Sequence, residues 1–391
     1  MSTNRNEKAF NEVLENIQLL CHLQFQGNAE ARSPLLDGKP GMAKTALIVE
    51  MCKQNNWGLL ICKFADQAIE EFTGIPLPQK IMINDKEFDG TTWTISDILT
   101  ETLKRFADHE QVVVFFDDIH YASATHMQYL HSILDKQIKG HHFPKLNLAF
   151  ILARNTSSKA GAKIMTSPII NRCKQLPIFM DFTYWKSAFA YKHGVNPKII
   201  SFLNNMAYRK FFHEDEQVNI SWASPRSWTG FSEELNMYEQ FKGGYGSLSD
   251  IIYHASGYIG AEAATAFATN YELYSTINII DIFDKKIEIE IPEDHMRQYI
   301  LAMAMVTEMF SRYCDEKSNT KKQEETLEIA AQICVGIGNK SSEITVSALK
   351  EIVLISSTLN DKNMYFKLRN LIEKLDPKMS VTIREDIAIT I

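Results

Sequence analysis

The sequence predicts an α/β fold in which helices cover both faces of a parallel β-sheet, followed by a largely helical remainder. Short apolar runs such as Val112–Phe116 and Leu146–Ala153 have the length and the side chains of buried strands. These runs alternate with segments of helical periodicity, which is the pattern of parallel strands joined by crossover helices. After about residue 181 the pattern changes, and the segments become mostly helical. We therefore expect the sheet domain to end there.

The elements of the sheet domain follow from local patterns. Phe10, Val13, Leu14 and Ile17 recur at helical spacing and predict a first helix over residues 7–25. Residues 84–86 predict the turn of a hairpin over residues 81–95. Ser96 is a suitable N-cap for a helix over residues 96–109. The remaining strands are predicted at residues 33–37, 58–64 and 175–179, and the remaining helices at residues 45–54 and 122–137.

The remainder of the chain shows helical periodicity in eight segments. They are residues 184–193, 197–206, 228–241, 260–274, 296–310, 325–335, 346–356 and 362–375. The polar stretch at residues 315–325 is expected to be a solvated connection. We place domain boundaries so that residues 1–181, 182–280 and 281–391 form three domains. This number suits a chain of 391 residues.

Composition excludes several classes of protein. A net charge of −7 argues against a broad nucleic-acid-binding surface. Six scattered cysteines without a CxxC pair favour a reducing compartment over a disulfide framework or a zinc site. The polar N-terminus does not resemble a signal peptide, and no apolar run approaches the ~18 residues of a membrane span. We expect a cytoplasmic protein without membrane association.

Residues 38–45 read GKPGMAKT and match the phosphate-loop pattern G-x-x-x-x-G-K-[ST], except that Ala43 replaces the last glycine. The glycines relieve the sterics of a tight turn, and the following helix directs its N-terminus at the anion. Lys44 would bind the β- and γ-phosphates, and the Thr45 hydroxyl would bind Mg²⁺. The alternative is a Gly/Pro turn beside a surface lysine. The candidate nucleotide-binding residues are Gly38, Lys39, Pro40, Gly41, Met42, Ala43, Lys44 and Thr45.

The apolar strand at Val112–Phe116 ends in the acidic pair Asp117 and Asp118. Ligands bind α/β sheets at the carboxyl ends of their strands. In P-loop NTPases the first acid of such a pair holds Mg²⁺. The second carboxylate could polarise the attacking water. The alternative is a pair of acids that caps the next helix, because Asp is a favourable N-cap residue.

The order of these motifs resembles AAA+ ATPases, specifically their MoxR-like branch, over residues 10–275. Residues 38–45 match the Walker A position and residues 112–118 the Walker B position. Asn155, at the end of the next strand, matches the sensor 1 asparagine. Arg172, within SPIINRC, matches the arginine finger, and Arg226, within ASPRSW, matches sensor 2.

The resemblance implies a P-loop NTPase αβα sandwich with a parallel sheet, a helical lid over residues 182–280, and a ring that usually has six subunits. ATP and Mg²⁺ would lie between neighbouring subunits, with Thr45 and Asp117 holding the metal. The protein partner would be a remodelling substrate or a von Willebrand A-domain protein. The all-α region after residue 280 carries no motif of the family. The residues implied in catalysis are Lys44, Asp117, Asp118, Asn155, Arg172 and Arg226.

The sequence departs from the family at three positions. Ala43 replaces a glycine, Asp118 replaces the usual glutamate, and His120 stands where asparagine is common. These departures bear on the turnover rate more than on nucleotide binding. They leave open a nucleotide-bound assembly module with slow or no hydrolysis. A DNA-directed relative of the clamp loaders also stays open, because Asn171-Arg172-Cys173 resembles the finger motif of that family.

Overall fold

A computed structural model describes residues 3–28, 30–63, 66–94, 100, 102, 104–106, 108–135, 137–138, 141–142, 147–155, 165–215, 219–315, 319–358 and 362–379. The chain divides into two compact units, one of described residues up to Asp181 and one from Phe182 onward. The first sequence-based boundary coincides with this division, and the boundary at residue 280 lies inside the second unit. The division into three domains stays a prediction.

A five-stranded sheet forms the centre of the first unit. Its strands are β1 (Ser33–Gly38), β2 (Gly58–Lys63), β5 (Gln111–Asp117), β8 (Asn147–Asn155) and β9 (Cys173–Pro177), in the spatial order β2-β5-β8-β1-β9. All four pairings are parallel. The prediction of an α/β fold with a parallel sheet is therefore confirmed, and the carboxyl ends of its strands meet at one edge.

The central strands carry apolar side chains on both faces of the sheet, and these side chains are buried because helices cover both faces. On one face Val114 and Phe150 pack with residues of α4 (Ala124–Leu134) and α5 (Ser167–Asn171). Val113 and Ile151 point to the other face and are also fully buried. Other helices described in this unit are α1 (Thr3–Phe25), α2 (Lys44–Gln54) and α3 (Ile69–Thr73). The helix predicted over residues 96–109 lies in part outside the described residues.

A separate hairpin pairs β3 (Pro76–Ile83) with β4 (Lys86–Trp93). Its turn residues Asn84 and Asp85 have φ angles of 51° and 57°. Two consecutive positive φ angles are characteristic of the type I′ turn, which matches the twist of the two strands. The predicted turn is confirmed, although β3 begins five residues earlier than expected. A short pair of strands, β6 (Gln137–Ile138) and β7 (His141–His142), completes the strands described.

The second unit is helical in the described residues. It begins with α6 (Phe182–Tyr184), which continues as a π-helical turn over Trp185–Ala190. The other α-helices described in this unit are α7 (Pro197–Asn204), α8 (Pro225–Lys242), α9 (Leu248–Ile259), α10 (Ala261–Ser275), α11 (Ile279–Phe283), α12 (His295–Asp315), α13 (Thr320–Gly338), α14 (Ser342–Thr358) and α15 (Lys362–Leu375). The sequence pattern did not predict α9 or α11. Among the described helices, none has the length and hydropathy needed to cross a membrane.

Candidate functional site

The candidate phosphate loop joins β1 to α2 at the carboxyl edge of the sheet. β1 ends at Gly38 and α2 begins at Lys44. A Cβ atom on Gly38 would lie 2.9 Å from the Ile178 carbonyl oxygen, so the close approach of that backbone requires glycine. Gly41 has a φ of 79°, and Ala43 has a φ of 55°. Ala43 thus adopts the left-handed conformation that glycine favours, at the position where the motif has glycine.

Lys44 is only 7 % exposed, and its ammonium group lies inside the loop. It donates to the carbonyl oxygens of Gly38 at 2.8 Å and Lys39 at 3.0 Å, and to Oδ1 of Asn155 at 2.7 Å. The loop carbonyls and Asn155 therefore hold the charge in place. An arriving phosphate would compete with these three acceptors for the same ammonium group.

Thr45 connects the loop to the end of β5. Its hydroxyl donates to Oδ2 of Asp117 at 2.5 Å. The two residues are 72 positions apart, and α2 and β5 bring them together. A hydroxyl and a carboxylate held in contact are two oxygen ligands of the kind that Mg²⁺ uses together with nucleotide phosphates. The pair thus fits the predicted metal ligands.

Asp118 follows Asp117 in the left-handed conformation, with a φ of 52°, at the start of a 3-10 helix over Ile119–Tyr121. Its backbone N–H donates to Oδ1 of Asp117 at 2.9 Å. In the described structure its side chain makes no capping hydrogen bond to that helix. The Asp118 carboxylate therefore does not cap this helix, which was the alternative role considered from the sequence. Asp118 is half-buried beside the loop.

Asn155 ends β8 directly beside Gly38 in the register of the sheet. Its side chain lies between Lys44 and His120, which is fully buried. The Asn155 backbone N–H donates to His120 Nδ1 at 3.3 Å, and its Nδ2 lies 3.2 Å from His120 Nε2. Burial lowers the pKa of the His120 imidazole below its ordinary 6.5, the neighbouring Asp118 and Asp117 raise it, and Lys44 lowers it further. His120 thus joins the candidate site, although the sequence pattern predicts no chemistry for it.

Arg154 and Asp37 form an ion pair immediately behind the loop. Nε of Arg154 donates to Oδ1 of Asp37 at 2.5 Å, and Nη2 donates to Oδ2 at 3.1 Å. The two residues are neighbours in the register of β1 and β8. Because Asp37 precedes Gly38, this pair fixes the strand end from which the loop departs. The sequence did not indicate it, since strand register decides which side chains of β1 and β8 meet.

Arg172 lies at the opposite edge of the sheet. Its carbonyl oxygen accepts a hydrogen bond from the Ser33 N–H at 3.0 Å, at the start of β1, whereas the phosphate loop follows the end of that strand. The six residues of β1 span about 17 Å. The Arg172 guanidinium donates to both carboxylate oxygens of Asp135, at 2.7 and 3.0 Å, and to the Pro168 carbonyl oxygen. This ion pair lowers the pKa of the Asp135 carboxyl below its ordinary value.

Arg226 belongs to the second unit. It occupies the first turn of α8, after Ser224 and Pro225, and its side chain is exposed. Ser224 caps this helix by accepting from the Ser227 N–H at 3.2 Å. The local geometry is that of a well-capped helix start carrying an outward arginine.

No protein-family model matches the chain, and no curated protein matches it.

Five of the six residues predicted for catalysis lie in the first unit. Lys44, Asp117, Asp118 and Asn155 gather with Thr45 at the carboxyl edge of the sheet. Arg172 lies at the other edge. The other predicted loop residues surround Lys44: Gly41 and Met42 are buried, Pro40 and Ala43 are half-buried, and Lys39 is exposed. The gathered groups offer one cation, one hydroxyl, two carboxylates and one amide beside a helix N-terminus, a set suited to a metal-bound phosphate.

Proposed function

We propose that this chain binds and hydrolyses ATP with Mg²⁺ as an AAA+ ATPase of the MoxR-like type, and uses hydrolysis to remodel or assemble a protein partner. The hydrogen bond from Thr45 to Asp117 carries the proposal. It joins the two motifs that the sequence separates by 72 positions, with Lys44 held next to it. Contact between these particular groups supports a single site for phosphate and metal.

Each residue then has one role in the proposed site. Lys44 exchanges its loop carbonyls for phosphate oxygens, and Thr45 with Asp117 holds the metal. Bound Mg²⁺ would neutralise charge on the phosphates and orient them. Asp118 orients the attacking water, and Asn155 positions it by hydrogen bonding. The Asp37–Arg154 pair keeps the end of β1 in register beneath the loop.

Hydrolysis in the proposed machine depends on assembly. Arg172 lies about one strand length from the loop of its own chain, so it would act in the site of a neighbouring subunit. An arginine supplied in this way stabilises the charge on the transferred phosphoryl group. We propose a homo-oligomeric ring, with six subunits as in the family, in the cytoplasm. Arg226 would report the nucleotide state to the helical lid, and a von Willebrand A-domain protein is the proposed type of partner.

Phosphate release by the assembled protein tests the enzyme. We expect steady turnover that requires Mg²⁺ and that both Lys44→Ala and Asp118→Asn abolish. Tight ATP binding without turnover would instead support the second candidate, a nucleotide-bound assembly module. Ala43 and Asp118 favour that candidate, because each replaces the residue type that the family pattern has at its position. Stimulation of turnover by DNA at moderate salt would support the clamp-loader relative.

A further inference from the structure

Three side chains form a line from the loop into the buried interior of the first unit. Lys44 Nζ lies 2.7 Å from Asn155 Oδ1, and Asn155 Nδ2 lies 3.2 Å from His120 Nε2. All three residues are buried, and His120 is fully excluded from solvent. Because water does not reach the imidazole ring, the hydrogen bonds of His120 must be made with neighbouring protein groups.

The Lys44 contact fixes the orientation of the Asn155 amide. An ammonium group has only donors, so the amide oxygen must face Lys44. The amide NH₂ group then faces Nε2 of His120 as a second donor. This contact is a hydrogen bond only if Nε2 carries a lone pair.

The other ring nitrogen meets a donor as well. Nδ1 of His120 lies 3.3 Å from the backbone N–H of Asn155, a donor that cannot be turned over. A neutral imidazole has one acceptor nitrogen and one N–H, and a protonated ring has no acceptor. While Lys44 holds the amide oxygen, one of the two ring nitrogens therefore presents an N–H to another N–H.

We propose that His120 is a positioning residue that makes the orientation of the Asn155 amide depend on the place of the Lys44 ammonium group. Once Lys44 leaves Asn155, the amide can turn over. Its oxygen then accepts from Nε2–H of His120, and Nδ1 accepts from the backbone N–H, so the conflict is removed. The inference rests on the proposed function, in which phosphate draws Lys44 away.

The turned amide has a consequence for the site. With its oxygen on His120, Asn155 presents Nδ2 to the side where Lys44 lay, and so offers a donor instead of an acceptor. A donor suits phosphate oxygens, whereas an acceptor cannot bond an ionised phosphate oxygen. The coupling is reciprocal, since whatever favours the turned amide also favours the release of Lys44.

Nitrogen-15 NMR of histidine-labelled protein tests the inference without turnover. The variant Lys44→Met removes the ammonium group, and His120→Asn assigns the signal. We expect Lys44→Met to move the ring-nitrogen shifts of His120, because the turned amide accepts from Nε2–H while Nδ1 still accepts from the backbone N–H, and MgATP to move them in the same direction in the unaltered protein. Identical His120 shifts in the unaltered protein and in Lys44→Met would overturn the proposal.

A double-mutant cycle on turnover separates positioning from mere stability. We expect His120→Ala to lower kcat at least tenfold while KM for ATP changes less than threefold, and to have no further effect in the Asn155→Ala background. His120→Asn should restore most of kcat, because an amide also offers one donor group and one acceptor. Losses that multiply in the double variant would overturn the proposal. His126→Ala, which removes a half-buried imidazole outside this line, should leave kcat unchanged.

Failure of the His120 proposal can be distinguished from failure of the proposed function. If the unaltered protein neither binds ATP nor releases phosphate, the proposed ATPase is wrong, whereas the effect of Lys44→Met on the His120 ring can still be measured. If turnover depends on Lys44 but the His120 ring does not respond to Lys44→Met, only the role of His120 is wrong.

Discussion

Arg172 holds Asp135 through two parallel hydrogen bonds, Nε to Oδ1 at 2.7 Å and Nη2 to Oδ2 at 3.0 Å. The pair lies at the edge of the sheet where β1 begins, and the candidate phosphate loop leaves from the other end of that strand. We predict that Arg172→Ala binds ATP with unchanged affinity but loses turnover about 10³-fold or more, the usual effect of removing an arginine finger. Equilibrium binding and phosphate release measure the two quantities.

A mixing experiment tests whether Arg172 acts on a neighbouring subunit. The Arg172→Ala protein keeps an intact loop, and the Lys44→Ala protein keeps an intact Arg172. In a mixed ring, some interfaces therefore place the intact loop of one subunit next to the intact Arg172 of its neighbour. We predict that turnover reappears when the two inactive proteins are mixed and allowed to exchange subunits. Arg172→Lys, which keeps the charge but loses the two-pronged geometry, should be intermediate. Normal turnover by Arg172→Ala alone would show that Arg172 is not a finger.

Ala43→Gly should stabilise the loop. Ala43 has a φ of 55°, and a residue with a Cβ loses about 1 kcal/mol or more in the left-handed region. We predict that the substitution raises the free energy of unfolding of the first unit by about 1 kcal/mol and does not weaken ATP binding. Urea denaturation and an ATP titration provide the measurements.

Two variants serve as controls for Ala43→Gly. Asn56 also has a φ of 55°, but it follows α2 and lies away from the loop. Asn56→Gly should stabilise less, because asparagine tolerates the left-handed region better than alanine, and should leave ATP affinity unchanged. Gly41→Ala, at a φ of 79°, should destabilise the protein. A destabilised Ala43→Gly protein would mean that the loop does not need this backbone conformation.

The sequence predicted those parts of the fold and site that depend on local pattern. Val112–Phe116 is apolar enough to be a buried strand in almost any context, and the spacing of Lys44 and Thr45 after Gly38 is itself the motif. The pattern did not predict α9, because its apolar residues are interrupted by Tyr253, His254 and the small residues after them.

Contacts set by the register of parallel strands could not be predicted. Asp37 meets Arg154 because β1 lies directly beside β8, and the sequence does not state that order. His120 reaches Asn155, 35 positions away, because β5 lies directly beside β8. The position of Arg172 at the far edge depends on Ser33 pairing with Cys173. Local pattern thus predicted the candidate site residues but not the residues that contact and orient them.

Breaking one buried ion pair in the second unit should lower the free energy of unfolding strongly. Lys186 pairs with Glu351 and donates to Asn204 Oδ1 at 2.9 Å, while Tyr191 donates to the same carboxylate. The side chains of Lys186 and Glu351 are 5 % and 6 % exposed. We predict that Glu351→Ala lowers the free energy of unfolding by about 3–5 kcal/mol, because it leaves a buried ammonium group without its carboxylate. Urea denaturation followed by circular dichroism measures the loss.

The double variant Lys186→Met with Glu351→Leu checks this explanation. Replacing both charges with apolar groups should recover much of the stability that Glu351→Ala loses. Lys210→Ala, which breaks the exposed pair with Glu262, should cost no more than about 1 kcal/mol. Equal losses from Glu351→Ala and Lys210→Ala would show that burial does not make the Lys186–Glu351 pair important.

Binding of a nucleoside triphosphate by the loop at residues 38–45 is the property on which every proposed role of the site residues depends. We would titrate the protein and its Lys44→Ala variant with a fluorescent ATP analogue, with and without Mg²⁺, and displace the analogue with ATP. Loss of a hydrogen-bonded cation worth about 1.5–3 kcal/mol should weaken binding about 10- to 150-fold. Thr45→Ala should mainly reduce the dependence on Mg²⁺. Saturable binding that ATP displaces and that Lys44→Ala weakens to this extent is the predicted result, and equal affinity of the two proteins would contradict the account.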